Sequence, residues 1–177
     1  GLCRNFVSET WPTIGKDIYE QVKEGAERSI KKKDIKLIGY DIDGRMLKIA
    51  RSNAQKAGVS NYIEFQKRDF KEFSSSEKNA FIITNPPYKN VLNYVKHAID
   101  IVDDGAKVAM LLKVLFLEGK ERGKYMLKNP PKYIYVFSGR IKCAINGDFD
   151  AINNGGALAF AWFVWEKGFK GEPKVRW

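Results

Sequence analysis

Three short apolar runs, each followed within two residues by an Asp or an Asn, constrain this chain more than any other feature. Lys36-Leu37-Ile38-Gly39-Tyr40-Asp41 reads as a buried strand, and Tyr62 to Lys67 as a short alternating one with Asp69-Phe70 behind it. Phe81-Ile82-Ile83-Thr84 is a second buried strand and runs into Asn85-Pro86-Pro87. Helical stripes flank the runs. Ile14, Ile18, Val22, Ala26 and Ile30 recur every four residues. Met46, Leu47, Ala50, Ala54 and Ala57 form a second stripe that Gly58 stops, and Val91, Leu92, Val95, Ala98, Ile99 and Val102 form a third. Strand and helix alternating in this way predict an α/β, Rossmann-like fold, with a mainly parallel sheet and helices on both faces.

The second half continues the alternation. Lys107 to Phe116 is a long apolar strand, Glu118 to Leu127 a helix stopped before Pro130-Pro131, and Tyr133 to Phe137 a strand. A loop from Gly139 to Gly156 follows, and then a last strand, Leu158 to Trp165. Phe160, Trp162 and Val164 point to one side of it and Ala161, Phe163 and Trp165 to the other. With both sides apolar, this strand belongs in the middle of the sheet, covered on both faces, and a hairpin partner inserted between strands meets that need. No repeat or low-complexity linker interrupts the 177 residues, which suit a single domain over 1–177.

The formal charge of +10, from 31 Lys and Arg against 21 Asp and Glu, suits a polyanionic partner through phosphate contacts and counterion release. It equally suits a soluble protein that happens to be basic, because the cations are dispersed and Lys31-Lys32-Lys33 is their only run of three. No apolar run approaches the ~20 residues of a membrane span. The start, Gly1-Leu2-Cys3-Arg4-Asn5, has no signal-peptide pattern and no initiator Met, so the chain reads as processed, trimmed or partial. Cys3 and Cys143 match no metal spacing, which predicts free thiols in a reducing, cytoplasmic setting and no bound metal.

Ligands of open parallel sheets sit beyond the carboxyl ends of the strands, where Asp41, Asp69-Phe70 and Asn85-Pro86-Pro87-Tyr88 all fall. A strand-end carboxylate can accept hydrogen bonds from both hydroxyls of a ribose, and a second Asp or its neighbours can take an adenine amino group. Each Asp also suits a turn or a helix cap, and Asp43 suits the cap better than Asp41 does. The Asn85-Pro86-Pro87-Tyr88 segment is sharper. Two prolines lack N–H groups and fix the chain direction, so the Pro86 carbonyl and the Asn85 side-chain oxygen stand as two acceptors on a stiff support. Together they can hold both hydrogens of an –NH2 group, draw its lone pair out of conjugation and stabilise the positive charge that grows on nitrogen as it attacks a methyl group. Tyr88 offers a face for an extruded base. The bland alternative is a plain turn.

Asn85-Pro86-Pro87-Tyr88 resembles the catalytic motif of amino-group methyltransferases of the class I S-adenosylmethionine (SAM)-dependent superfamily, which act on adenine N6, cytosine N4 or guanine N2 of DNA or RNA. Within Gly39-Tyr40-Asp41-Ile42-Asp43, Asp41 resembles the ribose-binding acid of that superfamily with Ile42 beside it, and Asp69-Phe70 resembles its adenine-contacting motif. The resemblance implies SAM as cofactor and a seven-stranded sheet whose last strand runs antiparallel between its neighbours. Up to about Asp69, through Asn5-Phe6-Val7-Ser8-Glu9 and Gly39 to Asp43, the chain resembles bacterial ribosomal-RNA guanine-N2 methyltransferases. From about Ala80, it resembles phage and mobile-element adenine-specific DNA methyltransferases. Leu115-Phe116-Leu117-Glu118-Gly119, Tyr135-Val136-Phe137-Ser138-Gly139-Arg140 and Ala161 to Gly168 carry that likeness. The first strand and Gly-rich loop that the superfamily sets before the ribose-binding acid are not found ahead of Asp41; Gly15 and Gly25 lie within a helical pattern.

The expected activity is therefore methyl transfer from SAM to an exocyclic amine of a nucleic-acid base, adenine N6 in DNA first. Guanine N2 in ribosomal RNA is the alternative, and a non-catalytic nucleic-acid-binding remnant a third. Arg140, Lys142, Asn146, Asn153 and Asn154 of the long loop are candidates for nucleic-acid contact or for a plain hairpin connection. His97 reads as solvated and Trp162 and Trp165 as core; Lys113 and Glu118 flank the end of the long strand and could line the site, though a surface role suits them better.

Overall fold

The computed structural model describes residues 16–29, 37–74, 80–139, 141 and 158–177. The chain falls into two compact units, Gly1–Phe70 and Lys71–Trp177. The long-loop candidates Arg140, Lys142, Asn146, Asn153 and Asn154 lie outside the described residues, as do Asn5 to Glu9 and both cysteines.

In the first unit, α1 (Lys16–Arg28) precedes β1 (Leu37–Asp41), α2 (Gly44–Lys56) and β2 (Ile63–Lys67). The two strands pair in parallel with Asp41 opposite Lys67, so their carboxyl ends lie at one edge. Asp43 starts α2: its side chain accepts from the Arg45 backbone N–H at 2.8 Å, satisfying a donor that the first turn leaves open. Gly58 ends the segment at φ +70°, a left-handed conformation that a side chain would strain. Leu47 and Ala54 of the α2 stripe are buried, whereas Met46 faces outward. Of the first stripe, Ile18, Val22 and Ala26 lie on α1, with Ile18 and Val22 exposed, and Ile14 and Ile30 lie outside the described residues. A period of four specifies the helix; it does not specify what covers it.

The second unit holds β3 (Phe81–Thr84), α3 (Val91–Asp100), β4 (Lys107–Lys113), α4 (Lys120–Lys128), β5 (Tyr133–Val136), β6 (Phe160–Glu166) and β7 (Lys174–Arg176). They form a five-stranded sheet in the order β3-β4-β6-β5-β7. β6 runs antiparallel between β4 and β5, which is the inserted last strand expected from the sequence. No described strand belongs to both sheets.

The register divides the larger sheet into two unlike faces. Val108, Met110 and Leu112 stand opposite Trp165, Phe163 and Ala161 on one face, and all six are sealed from solvent. Each large apolar side chain so buried contributes about 1.5–3 kcal/mol. On the other face Trp162 and Val164 are only half-buried, and Phe81 and Ile83 are exposed. Right-handed crossovers from β3 to β4 and from β4 to β5 step in the same direction, so they lay α3 and α4 on the same face. The two helices are neighbours there, with Lys96 Nζ 5.6 Å from the centre of the Tyr125 ring. β6 is thus central, as its composition demands, but its second face is only half covered.

The long strand and the helix after it have other boundaries than the sequence suggests. The long strand stops at Lys113, and Val114–Leu117 is a 3-10 turn that drops Phe116 edge-on against Phe163 and Trp165, 5.5 and 6.3 Å between ring centres. The following helix starts at Lys120 rather than Glu118, because Gly119 takes φ +100°. A Cβ there would also lie 3.1 Å from Arg122 Nη2.

Candidate active site

In the first unit, Asp41 closes β1 and Asp69 stands two residues beyond the paired end of β2. Both belong to the same carboxyl edge. The Asp43 N–H donates to Asp41 Oδ1 at 2.7 Å, and the Arg68 N–H donates to the Asp41 backbone carbonyl at 3.1 Å. These bonds fix the carboxylate and leave Oδ2 with no partner among the described residues. A held acceptor with one open oxygen suits a sugar hydroxyl. Asp43 is spent otherwise: the Arg45 guanidinium and backbone N–H beside it hold its carboxyl below the ordinary range. Ile42 projects outward between them, and Asp69 and Phe70 are half-buried, Phe70 opening a 3-10 turn.

In the second unit, Asn85 directly follows β3 at the carboxyl edge of the larger sheet. Pro86 is buried and anchors the turn, while Asn85, Pro87 and Tyr88 are exposed. Asn90 then takes the left-handed conformation at φ 59°, which Asn tolerates, and turns the chain into α3. α3 is held down by Val91, Val95, Ala98 and Ile99. The motif is therefore pinned on both sides, by a paired strand and by a packed helix.

The Tyr88 hydroxyl donates to Asn85 Oδ1 at 3.2 Å. The amide oxygen was expected as an open acceptor; it has two lone pairs, so the bond from Tyr88 orients it and leaves one for an incoming N–H. Around the Tyr88 ring lie Phe160, 6.1 Å away and tilted by 41°, and Lys113 Nζ, 4.8 Å from the ring centre. Of the two sequence readings of Lys113, surface group or site lining, the contact with Tyr88 favours the second. Register places it: Lys113 ends β4 opposite Phe160, the first residue of β6. Phe160 carried no functional signal in the sequence because it sits in an apolar run. Tyr88, Lys113 and Arg122 share a cavity of about 200 Å³. A larger apolar cavity of about 570 Å³, between α4 and the approach to β7, includes none of the predicted site residues.

The remaining candidates have structural roles. His97 is half-buried and bonds to the Phe73 carbonyl at 3.1 Å, a tie rather than the solvated side chain expected. Trp165 is core, its indole N–H donating to the Asn129 carbonyl at 3.2 Å, and Trp162 is half-buried in the sheet. No group of three or more metal-binding side chains occurs among the described residues, and none of their helices is long and apolar enough to cross a membrane.

Comparison with known proteins agrees with this architecture. The chain is 31% identical over 161 residues to the ribosomal RNA large subunit methyltransferase K/L of Shewanella baltica (strain OS185), covering 82% of this chain and 22% of that protein. It spans between a fifth and a quarter of the length of the curated relatives it matches. A possible methylase from Clostridium difficile 630 superposes with a TM-score of 0.59 at 27% identity, over 97% of this chain and 42% of that one. The SAH complex of SMU.472 superposes with a TM-score of 0.60 at 17% identity, over 96% and 42%, and shares the fold. Residues 1–107 match the family model of the RMKL-like methyltransferase domain, UPF0020. With more than half of its length inside that match, the chain belongs to the UPF0020 family of RMKL-like methyltransferase domains.

Proposed function

We propose that this chain is the catalytic part of a SAM-dependent methyltransferase that modifies an exocyclic amino group of a nucleic-acid base. The observation that carries the reading is the Asn85 amide oxygen, oriented by the Tyr88 hydroxyl at 3.2 Å on a proline-stiffened turn at a strand end. Asp41, its Oδ2 open, and Ile42, Asp69 and Phe70 at the edge of the smaller sheet would hold the nucleoside of the cofactor. When bound, SAM supplies an electrophilic methyl group. The protein's own contribution falls to Asn85 and to the backbone carbonyl of Pro86. They accept the two amino hydrogens, turn the nitrogen lone pair out of the ring plane and stabilise the charge that grows on nitrogen. Tyr88, backed by the buried Phe160, gives the base an aromatic face, and Pro86 and Pro87 keep the turn from yielding. No strong base is needed, because the proton leaves a nitrogen that has become cationic.

Ribosomal RNA as acceptor is supported by the 161-residue likeness to the Shewanella enzyme. Adenine N6 in DNA rests on the segments from Leu115 to Gly119 and from Ala161 to Gly168. Two measurements test the reading. Titration calorimetry should show saturable SAM binding that Asp41→Ala abolishes. In a labelled-methyl assay against ribosomal RNA and DNA, Asn85→Ala should lose transfer and keep SAM binding. Equal turnover by wild type and Asn85→Ala would remove the motif from the mechanism.

A further inference from the structure

The Arg122 guanidinium, on the first turn of α4, is held from three sides. Its Nε donates to the Glu118 carbonyl, its Nη2 lies 3.4 Å from the Leu115 carbonyl, and its centre sits 5.7 Å from the centre of the Phe116 ring. Gly119 leaves the space that the guanidinium fills; a Cβ there would meet Arg122 Nη2 at 3.1 Å. No described carboxylate pairs with Arg122 or with Lys113, whereas Arg28, Arg45, Lys124 and Lys132 all have acidic partners. A guanidinium fixed by neutral carbonyls keeps its full charge and several N–H donors for something else. Lys113 and Arg122 stand with Tyr88 around the cavity of about 200 Å³, floored by Val91, Leu112 and Phe116. That volume is below the about 300–1,000 Å³ that drug-sized ligands occupy, so the cavity takes one part of a nucleotide rather than a whole cofactor. Two unpaired cations around an apolar floor, next to an aromatic ring, match a phosphate group whose base or neighbour stacks on the ring.

We propose that Lys113 and Arg122 form a phosphate-binding subsite for the acceptor strand, gripping a phosphodiester beside the base that Tyr88 receives. The inference rests on the reading of Asn85 to Tyr88 as the acceptor site. Lys113 has a double place in it: its ammonium lies 4.8 Å from the centre of the Tyr88 ring and lines the same cavity, so it couples the phosphate grip to the stacking face.

The test is fluorescence anisotropy of the chain with a labelled 20-nucleotide single strand, as RNA and as DNA, across a potassium chloride series. Lys113→Gln and Arg122→Gln should each weaken binding on the order of tenfold. Each should also flatten the slope of log affinity against log salt by about 0.7, the share of one phosphate contact on a single strand. Arg122→Lys should restore the slope, and Lys48→Gln, an exposed change on α2, should leave slope and affinity unaltered. SAM affinity should be unchanged throughout. Should Arg122→Gln disturb the start of α4, seen as a lowered thermal midpoint, Lys113→Gln carries the test on its own. Wild-type slope and affinity in Lys113→Gln, or a loss no greater than that of Lys48→Gln, would overturn the subsite while leaving methyl transfer standing. So would a loss of SAM affinity with nucleic-acid binding intact. A wild-type chain that binds neither strand at 50 mM salt would bring down the subsite and the parent reading together.

Discussion

Single atoms separate the roles of the three acidic or amide groups at the strand ends. Asp41 and Asp43 are two residues apart, yet Asp43 is consumed by Arg45 and the cap of α2, while Asp41 keeps Oδ2 open. Asp43→Ala should lower the thermal midpoint with little effect on SAM affinity at permissive temperature. Asp43→Asn should recover most of the midpoint, since Asn caps nearly as well. Asp41→Ala should do the reverse, and a calorimetric titration beside a thermal melt reads both. Tyr88 separates in the same way. Tyr88→Phe removes the hydroxyl that orients Asn85 and should lower kcat more than it raises KM; Tyr88→Ala also removes the stacking face and should raise KM for nucleic acid. The sequence pointed to Asp41 and Asn85 because they follow short apolar runs; those runs read as buried strands, but β1 holds no buried residue and Phe81 and Ile83 of β3 are exposed. It could not show Lys113 and Phe160 meeting at Tyr88, since that contact depends on the antiparallel register of β4 and β6, whose segments lie far apart in the chain.

At the scale of elements, the two faces of the larger sheet should respond unequally. Phe163→Ala, on the sealed face, should cost about 3–5 kcal/mol in urea denaturation. Tyr135→Ala, on a face where that ring is 44% exposed, should cost about 1 kcal/mol or less. The alternating Phe160–Trp165 pattern identified a central strand, and β6 lies between β4 and β5. The same pattern overstated the cover on the second face, because strand composition records where a strand belongs and not how fully each of its faces is covered. β7 escaped notice for a simpler reason: Lys174-Val175-Arg176 has one apolar residue and no alternation to read. Between α3 and α4, Tyr125 gives a pH test. Burial, and then Asp100 beside it, push the Tyr125 hydroxyl up to about 12 from its ordinary 10.0. A raised folded pKa gives stability that is whole below pH 10 and falls as pH rises from about 10 to about 12. Tyr125→Phe should remove that part of the alkaline decline, seen as a shallower loss of denaturation midpoint than wild type over the same interval.

The whole molecule carries a charge of +10, and it carries it without a concentrated basic run. Dispersed charge attracts polyanions without regard to sequence; on the proposed reading the choice of base comes from the acceptor site, where Asn85 would offer hydrogen-bond acceptors and Tyr88 a face. General attraction should therefore weaken steeply with salt, while base choice should not change between low and moderate salt. Amino-group transfer is decided by identifying the methylated nucleoside. Ribosomal RNA and DNA are each incubated with the chain and SAM carrying a labelled methyl group, digested to nucleosides and analysed by mass spectrometry. The label should appear on an exocyclic amino nitrogen in at least one of the two nucleic acids, and not at all with Asn85→Ala. Label on a ring carbon, ring nitrogen or ribose oxygen, or equal label from the Asn85→Ala chain, would contradict it.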